Sequence, residues 1–259
     1  MKLEGKVVVV TGAGRGIGRE IALTCGREGG RIALAARSVE VLREVASEIE
    51  LAGGEALAVE TNVCNPDAVA ALADQVLSQW GRVDVLVNNS GIGGPSAPLW
   101  EVRPEDWEET FAVNVTGVYL CCQAILPSMI ERRSGSIVNI GSTTGKRPLL
   151  NRTPYAASKA ALIGLTRTLA LEAGPHQIRV NLVSPGFVAG ERIDWVFEQQ
   201  AISQGRDVDD VRADAEEMTP LKRLVSAADV ARTVAFLASD ESEGITGTDV
   251  NVTAGLVMY

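Results

Sequence analysis

The sequence predicts an α/β fold: a single domain on one doubly wound, seven-stranded parallel sheet with helices on both faces. Three observations carry the prediction. Short β-rich apolar runs alternate with longer helical patterns over all 259 residues, the pattern of repeated βαβ units. No internal repeat, low-complexity tract or Pro/Gly/Ser-rich linker divides the chain. A glycine-rich turn follows the first apolar run, where such a sheet needs room for a ligand.

The elements follow in order. The first strand is expected over 6–10, where Val7, Val8, Val9 and Val10 give the unbroken apolar run of a buried strand. A helix over 18–28 leads to a strand over 31–36, and a helix over 39–52 leads to a strand over 55–61. The next pairs are a helix over 67–80 with a strand over 83–87, and a helix over 107–129 with a strand over 136–140. A helix over 155–173 precedes the sixth strand, 179–183, and a helix over 227–238 precedes the seventh, 249–252. Between these last two units lies a polar stretch, 191–218, containing Gln-Gln, Asp-Asp and Glu-Glu pairs. It reads as a helical insertion on the surface, either a solvated decoration or a lid at about 190–220 over a site. Right-handed crossovers place ligands beyond the carboxyl ends of the strands, so functional residues are expected just after strands.

Charge and composition exclude several classes of function. With 24 Lys plus Arg against 33 Asp plus Glu the formal charge is −9, so a general attraction to phosphate backbones is absent and nucleic acid is not an expected partner. One histidine, His176, leaves a multi-histidine metal site without ligands and a serine-type triad with one candidate base, so no metal is expected. Cys25, Cys64, Cys121 and Cys122 lack metal or scaffold spacing, which suits reduced thiols in a cytoplasmic protein. No apolar run approaches membrane-spanning length, and the N-terminus lacks the apolar stretch of a signal peptide, so no membrane association is expected.

The glycine turn reads Thr11-Gly12-Ala13-Gly14-Arg15-Gly16-Ile17-Gly18. Glycines there let the backbone approach a pyrophosphate whose charge the following helix N-terminus favours. The second strand ends in Arg37-Ser38 rather than in an acid. A guanidinium there, with Arg15 in the turn, can pair with a 2′-phosphate, while the alternative is a solvated arginine with Ser38 capping a helix. Asn62-Val63 follows the third strand, and Asn88-Asn89-Ser90-Gly91 follows the fourth. Tyr155 and Lys159 are four apart on a helical stretch, so phenol and ammonium share a face and the cation favours the phenolate. Ser142 stands at a strand end, where its hydroxyl can hydrogen-bond a reacting carbonyl or alkoxide oxygen. Asn114 lies in an apolar helical region, and a buried amide must be satisfied, for example at a polar kink holding a water.

Together these residues resemble the short-chain dehydrogenase/reductase family. The spacing of Gly12, Gly16 and Gly18 is similar to its TGxxxGxG turn, and Asn114, Ser142, Tyr155 and Lys159 resemble its catalytic tetrad in order across the chain. The resemblance implies a Rossmann-type fold with Tyr155 as general acid/base. It also implies that Lys159 lowers the phenol's pKa and holds the nicotinamide ribose, that Ser142 positions the substrate oxygen, and that Asn114 anchors a relay water. Asp84 matches a position with a structural role. The cofactor contacts it implies run through Gly12, Arg15, Gly16, Ile17, Gly18, Arg37, Ser38, Asn62, Val63, Asn89, Ser90 and Gly91, then Tyr155, Lys159, Pro185, Gly186 and Val188. Asn62, Ser90 and Gly190 replace the family's usual Asp, Ala and Thr. Arg15 and Arg37 are similar to positions in NADP(H)-using members, so NADP(H) is the preferred cofactor and NAD(H) remains possible.

The expected function is hydride transfer between NADP(H) and a secondary alcohol or ketone, with substrates resembling those of 3-oxoacyl-carrier-protein reductases. The alternatives are an NAD-dependent sugar, polyol or hydroxy-acid dehydrogenase and, in another class, a dinucleotide sensor without turnover. The small-molecule substrate should meet the segment after Gly91, the 145–154 loop and the 191–218 insertion. There Arg147, Arg152 and Arg192 either receive an anionic group or stay solvated, and Trp100, Trp195 and Phe197 either meet substrate or pack as lid core. The family resemblance implies a homo-oligomer, specifically a homotetramer.

Overall fold

Four consecutive valines bury both faces of the first strand, and the sheet is built outward from it. In the computed structural model, which describes residues 1–259, β1 (Val7–Thr11) is fully buried. Val8 and Val10 enter one core, while Val7 and Val9 enter the other. Complete burial of each valine contributes about 1.5 kcal/mol or more, which accounts for the apolar run. Around β1 lie β2 (Arg31–Ala36), β3 (Glu55–Glu60), β4 (Val85–Asn88), β5 (Gly135–Ile140), β6 (Ile178–Pro185) and β7 (Asp249–Val252). The order is β3-β2-β1-β4-β5-β6-β7, parallel throughout. The order in which strands are added reverses between β1 and β4, so a crevice opens beyond Thr11 and Asn88.

One core packs α1 (Gly16–Arg27), α2 (Val39–Leu51) and α9 (Ala227–Ala238) against the sheet. The other packs α3 (Pro66–Trp80), α5 (Gly117–Arg132) and α6 (Thr153–Ala173). Local signals set several helix starts. Asn65 accepts from the Asp67 and Ala68 N–H groups with Pro66 in the first turn of α3, and Ser226 forms a capping box with Asp229 on α9. Ser38 precedes α2 but does not cap it, because its hydroxyl donates to Glu40 Oε2 at 3.2 Å. Asp84 has the structural role expected of it: it accepts from the Val7 N–H at 2.9 Å and pairs with Arg82 and Arg132.

The helix expected over 107–129 is longer and broken in the middle. α4 (Pro104–Phe111) passes through a π-helical segment, Ala112–Thr116, into α5. Within this continuous helix, Pro104–Arg132, an 18-residue stretch is long and apolar enough to cross a membrane, with a mean hydropathy of 1.5. That corrects the expectation that no apolar run reaches such a length; here Val118, Cys121, Cys122, Ile125 and Met129 are buried against the sheet. The expected insertion forms α7 (Glu191–Gln204) and α8 (Val208–Glu217) around a small core of their own. Phe197 is buried in that core, but Trp195 is 40% and Trp100 85% exposed, so neither tryptophan packs as lid core.

Candidate active site

The glycine turn is tied to three strands. The Gly12 N–H donates to the Ala35 carbonyl of β2 at 2.7 Å. Asn89, just past β4, donates its side-chain amide to the Thr11 and Gly12 carbonyls at 2.9 and 3.2 Å. The Thr11 hydroxyl accepts from the backbone N–H groups of Asn89 and Ser90, both at 3.0 Å. Gly18 is a steric requirement, since a Cβ there would overlap the Gly12 carbonyl and the Asn89 amide. α1 begins without a side-chain cap and without an acid in its first turn, so its leading N–H groups and positive end fit a pyrophosphate. The sequence marks Asn89 as a cofactor contact; its side chain is a strut holding the turn, and Thr11 is a second strut that sequence reasoning missed.

Other expected cofactor positions fit a dinucleotide unequally. Arg15 and Arg37 are exposed, and neither guanidinium hydrogen-bonds or ion-pairs with the protein. Asn62 uses Oδ1 to accept from the Cys64 N–H at 3.1 Å, which leaves its NH2 free. The Val63 side chain is buried against the position of Gly117, so only its backbone can face a ligand. Pro185 closes β6 opposite Val252, and the Gly186 N–H donates to the Val252 carbonyl at 2.9 Å. Val188 bridges Val225, yet its own N–H and C=O have no protein partner, which suits a carboxamide. Gly190 adopts φ +135°, a conformation a threonine would hold only under strain; the family's usual residue is therefore disfavoured here.

Asn114, Ser142, Tyr155 and Lys159 converge at the ends of β4 and β5. Asn114 is fully buried in the π-helical segment. Its Oδ1 accepts from the Ile92 N–H at 2.8 Å, and its Nδ2 donates to the Ile92 carbonyl and the Ser158 hydroxyl, both at 3.0 Å. The buried amide is thus satisfied by Ile92 and Ser158, partners that sequence reasoning missed although Ser158 sits within the Tyr155 to Lys159 motif. Lys159 Nζ donates to the Ile140 carbonyl at 2.7 Å and lies 5.9 Å from the centre of the Tyr155 ring. Burial pushes the Lys159 ammonium below its ordinary value, with Arg192 adding repulsion against an opposing attraction to Tyr155. Burial alone would raise the Tyr155 phenol. Arg192, Lys159, the Ser142 hydroxyl within hydrogen-bonding reach, and Arg152 outweigh it, and the phenol lies below its ordinary value.

The three candidate arginines separate. Arg152 is 4% exposed and its guanidinium carbon lies 5.4 Å from the Tyr155 ring centre and 5.5 Å from that of Trp195. Arg192, on the first turn of α7, reaches to 5.2 Å from the same tyrosine. Arg147 instead leans on Met218 at the end of α8. Lys146 pins this loop to β7 through Asp249 at 2.7 Å and Asn251 at 2.6 Å. His176 lies between α6 and the start of β6, at the opposite end of the strands from this site.

Residues 12–257 match a family model described as enoyl-(acyl carrier protein) reductase. A 3-oxoacyl-[acyl-carrier-protein] reductase of Staphylococcus epidermidis is 39% identical over 254 residues, covering 98% of this chain and 99% of that protein. Among solved structures, an actinorhodin polyketide ketoreductase with NADPH superposes with a TM-score of 0.94 at 36% identity, covering 98% of each chain. An NAD+-bound xylitol dehydrogenase superposes with a TM-score of 0.95 at 33% identity, covering 98% of this chain and all of that one. The sheet order, the glycine turn and these full-length similarities agree, and the chain belongs to the short-chain dehydrogenase/reductase family of oxidoreductases.

Proposed function

We propose that this oxidoreductase exchanges hydride between NADP(H), in preference to NAD(H), and a secondary alcohol or ketone, with Tyr155 as general acid/base. The observation that carries the reading is the convergence of Lys159, Ser142 and the two arginines on one partly buried phenol whose proton they loosen. In reduction the Tyr155 hydroxyl donates its proton to the carbonyl oxygen, and in oxidation the phenolate takes it back. Ser142 hydrogen-bonds the same oxygen as charge develops on it. Lys159, fixed by the Ile140 carbonyl, stabilises the phenolate, and Asn114 holds the segment facing them through Ile92. The first-turn amides of α1, with Gly12, Gly16, Ile17 and Gly18, would hold the pyrophosphate, and Val188 the carboxamide. Bound in this crevice, the nicotinamide supplies or accepts the hydride.

The preference for NADP(H) is supported by Arg15 and Arg37, both exposed and uncommitted to any protein carboxylate. An NAD-dependent polyol, sugar or hydroxy-acid dehydrogenase is the second reading, favoured by the likeness to the NAD+-bound xylitol dehydrogenase. Titration with NADPH and NADH, followed by an oxidation and reduction screen, separates the two. Tyr155→Phe should bind cofactor normally and lose nearly all turnover; near-normal turnover would sink the mechanism. The same reading places a homotetramer in the cytoplasm, supported by four free cysteines and by exposed Tyr119, Ile130 and Leu171 on the outer helices. Sedimentation velocity giving a monomer would refute the assembly.

A further inference from the structure

We infer that the substrate carries a compact anionic group, a carboxylate or a sulfonate, a few bonds from its reacting carbon, and that Arg152 and Arg192 together grip it. The inference rests on Tyr155 marking the reacting centre. Arg152 is buried, and one guanidinium nitrogen, Nη2, donates to the Gly93 carbonyl at 2.7 Å. Its Nε and Nη1 are buried with no partner. A guanidinium is always charged, and a buried charge without a counter-ion is costly to keep.

The second arginine makes the arrangement specific. A Cβ placed on Gly93 would lie 2.7 Å from Arg152 Nη2 and 3.6 Å from Arg192 Nη2, so one nitrogen of each guanidinium lies beside Gly93 and the two cations are near neighbours. Both guanidinium carbons lie over the Tyr155 ring, at 5.4 and 5.2 Å. Each cation raises the cost of the other, and Arg192 opposes the charge on Arg152. No protein carboxylate resolves the conflict: Asp194, the acid two residues along α7, is held by Arg212. Two guanidiniums beside one tyrosine ring, one of them with two unpartnered donors, match the oxygens of a carboxylate or sulfonate, which a neutral group does not. A carrier thioester presents a neutral carbonyl at that distance from its reacting carbon, so the arginine pair argues for a small free acid instead.

The test uses the holoenzyme with NADP+, which cannot reduce a ketone, so binding is read without turnover. Tryptophan fluorescence, with Trp195 stacked on Arg152, is followed while acetoacetate, 2-oxopropane-1-sulfonate or methyl acetoacetate is added. At least one of the anions should bind about 30-fold or more tighter than the neutral ester. Arg192→Met should remove most of that preference while NADP+ affinity holds; this residue is exposed, so the variant keeps its fold even if Arg152→Gln does not. Equal binding of acids and ester overturns the inference, as do absent binding of both anions and an Arg192→Met loss shared equally by all three probes. If NADPH reduces the ester without any preference for the acids, hydride transfer stands and the anion site falls. If the anions bind selectively but no probe is reduced with either NADPH or NADH, the anion site stands and hydride transfer falls.

Discussion

The Arg192 guanidinium lies 5.2 Å from the centre of the Tyr155 ring, nearer than the Lys159 ammonium at 5.9 Å. Two cations from different elements therefore act on one phenol: Lys159 is buried on α6, and Arg192 is carried by the exposed start of α7. The 191–218 insertion thus supplies one of the cations that lower the Tyr155 pKa.

A pH profile follows from this pairing. Burial raises the Tyr155 phenol, and Arg192, Lys159, Ser142 and Arg152 together bring it below its ordinary value. Alcohol oxidation needs the phenolate, so its rate falls as pH drops through that pKa. Removing a cation raises the pKa, and the acid limb of kcat/KM for Arg192→Met should move toward alkaline pH. An unmoved limb would show that Arg192 does not act on the phenol.

The proposed preference for NADP(H) makes Arg37 the residue to test. Replacing it with Asp puts an acceptor for a ribose hydroxyl where a 2′-phosphate would meet repulsion. The ratio of kcat/KM for NADPH to that for NADH should fall by about 100-fold, two lost charge-assisted contacts of modest size. If initial-rate kinetics with both cofactors leave the ratio unchanged, 2′-phosphate recognition belongs elsewhere.

The sheet, the glycine turn and the tyrosine-lysine pair were legible because each depends on local spacing: four valines, three glycines and a separation of one helical turn. Arg152 was legible only as a candidate. It sits between Asn151 and Thr153 in a polar stretch that reads as solvated, and only the Gly93 carbonyl from a distant loop turns it inward. Trp195 and Phe197 are two apart on one helix, so helical geometry sends one into the core and leaves the other facing Arg152. The π-helical segment around Asn114 has no sequence signature of its own, because what sustains it is pairing with Ile92 and Ser158.

Two glycines in the turn should respond differently to the same added methyl group. Gly18→Ala drives a Cβ into the Gly12 carbonyl and the Asn89 amide, and should cost about 2 kcal/mol or more as the turn and β4 are pushed apart. Gly16 has open space around its Cβ position but φ +55°, so Gly16→Ala should cost only about 1 kcal/mol. Urea unfolding of both variants checks the order, and an equal loss would mean that the close packing at Gly18 relaxes freely.

Asn114 offers a test in which shape and chemistry separate. Its amide accepts from the Ile92 N–H and donates to the Ile92 carbonyl and to Ser158, while the Ser158 hydroxyl donates to the Tyr155 carbonyl at 2.8 Å. Asn114→Ala orphans these groups in a fully buried place and should cost about 1–3 kcal/mol. Asn114→Asp has nearly the same shape, but at neutral pH it sets a carboxylate oxygen against the Ile92 carbonyl, so it should be at least as unstable as the alanine variant. Burial favours the protonated acid, which restores a donor, so stability of Asn114→Asp relative to wild type should improve as pH is lowered through its raised pKa. Urea melts at successive pH values measure this, and an aspartate variant as stable as wild type at pH 8 would show that the donor side of Asn114 holds nothing together.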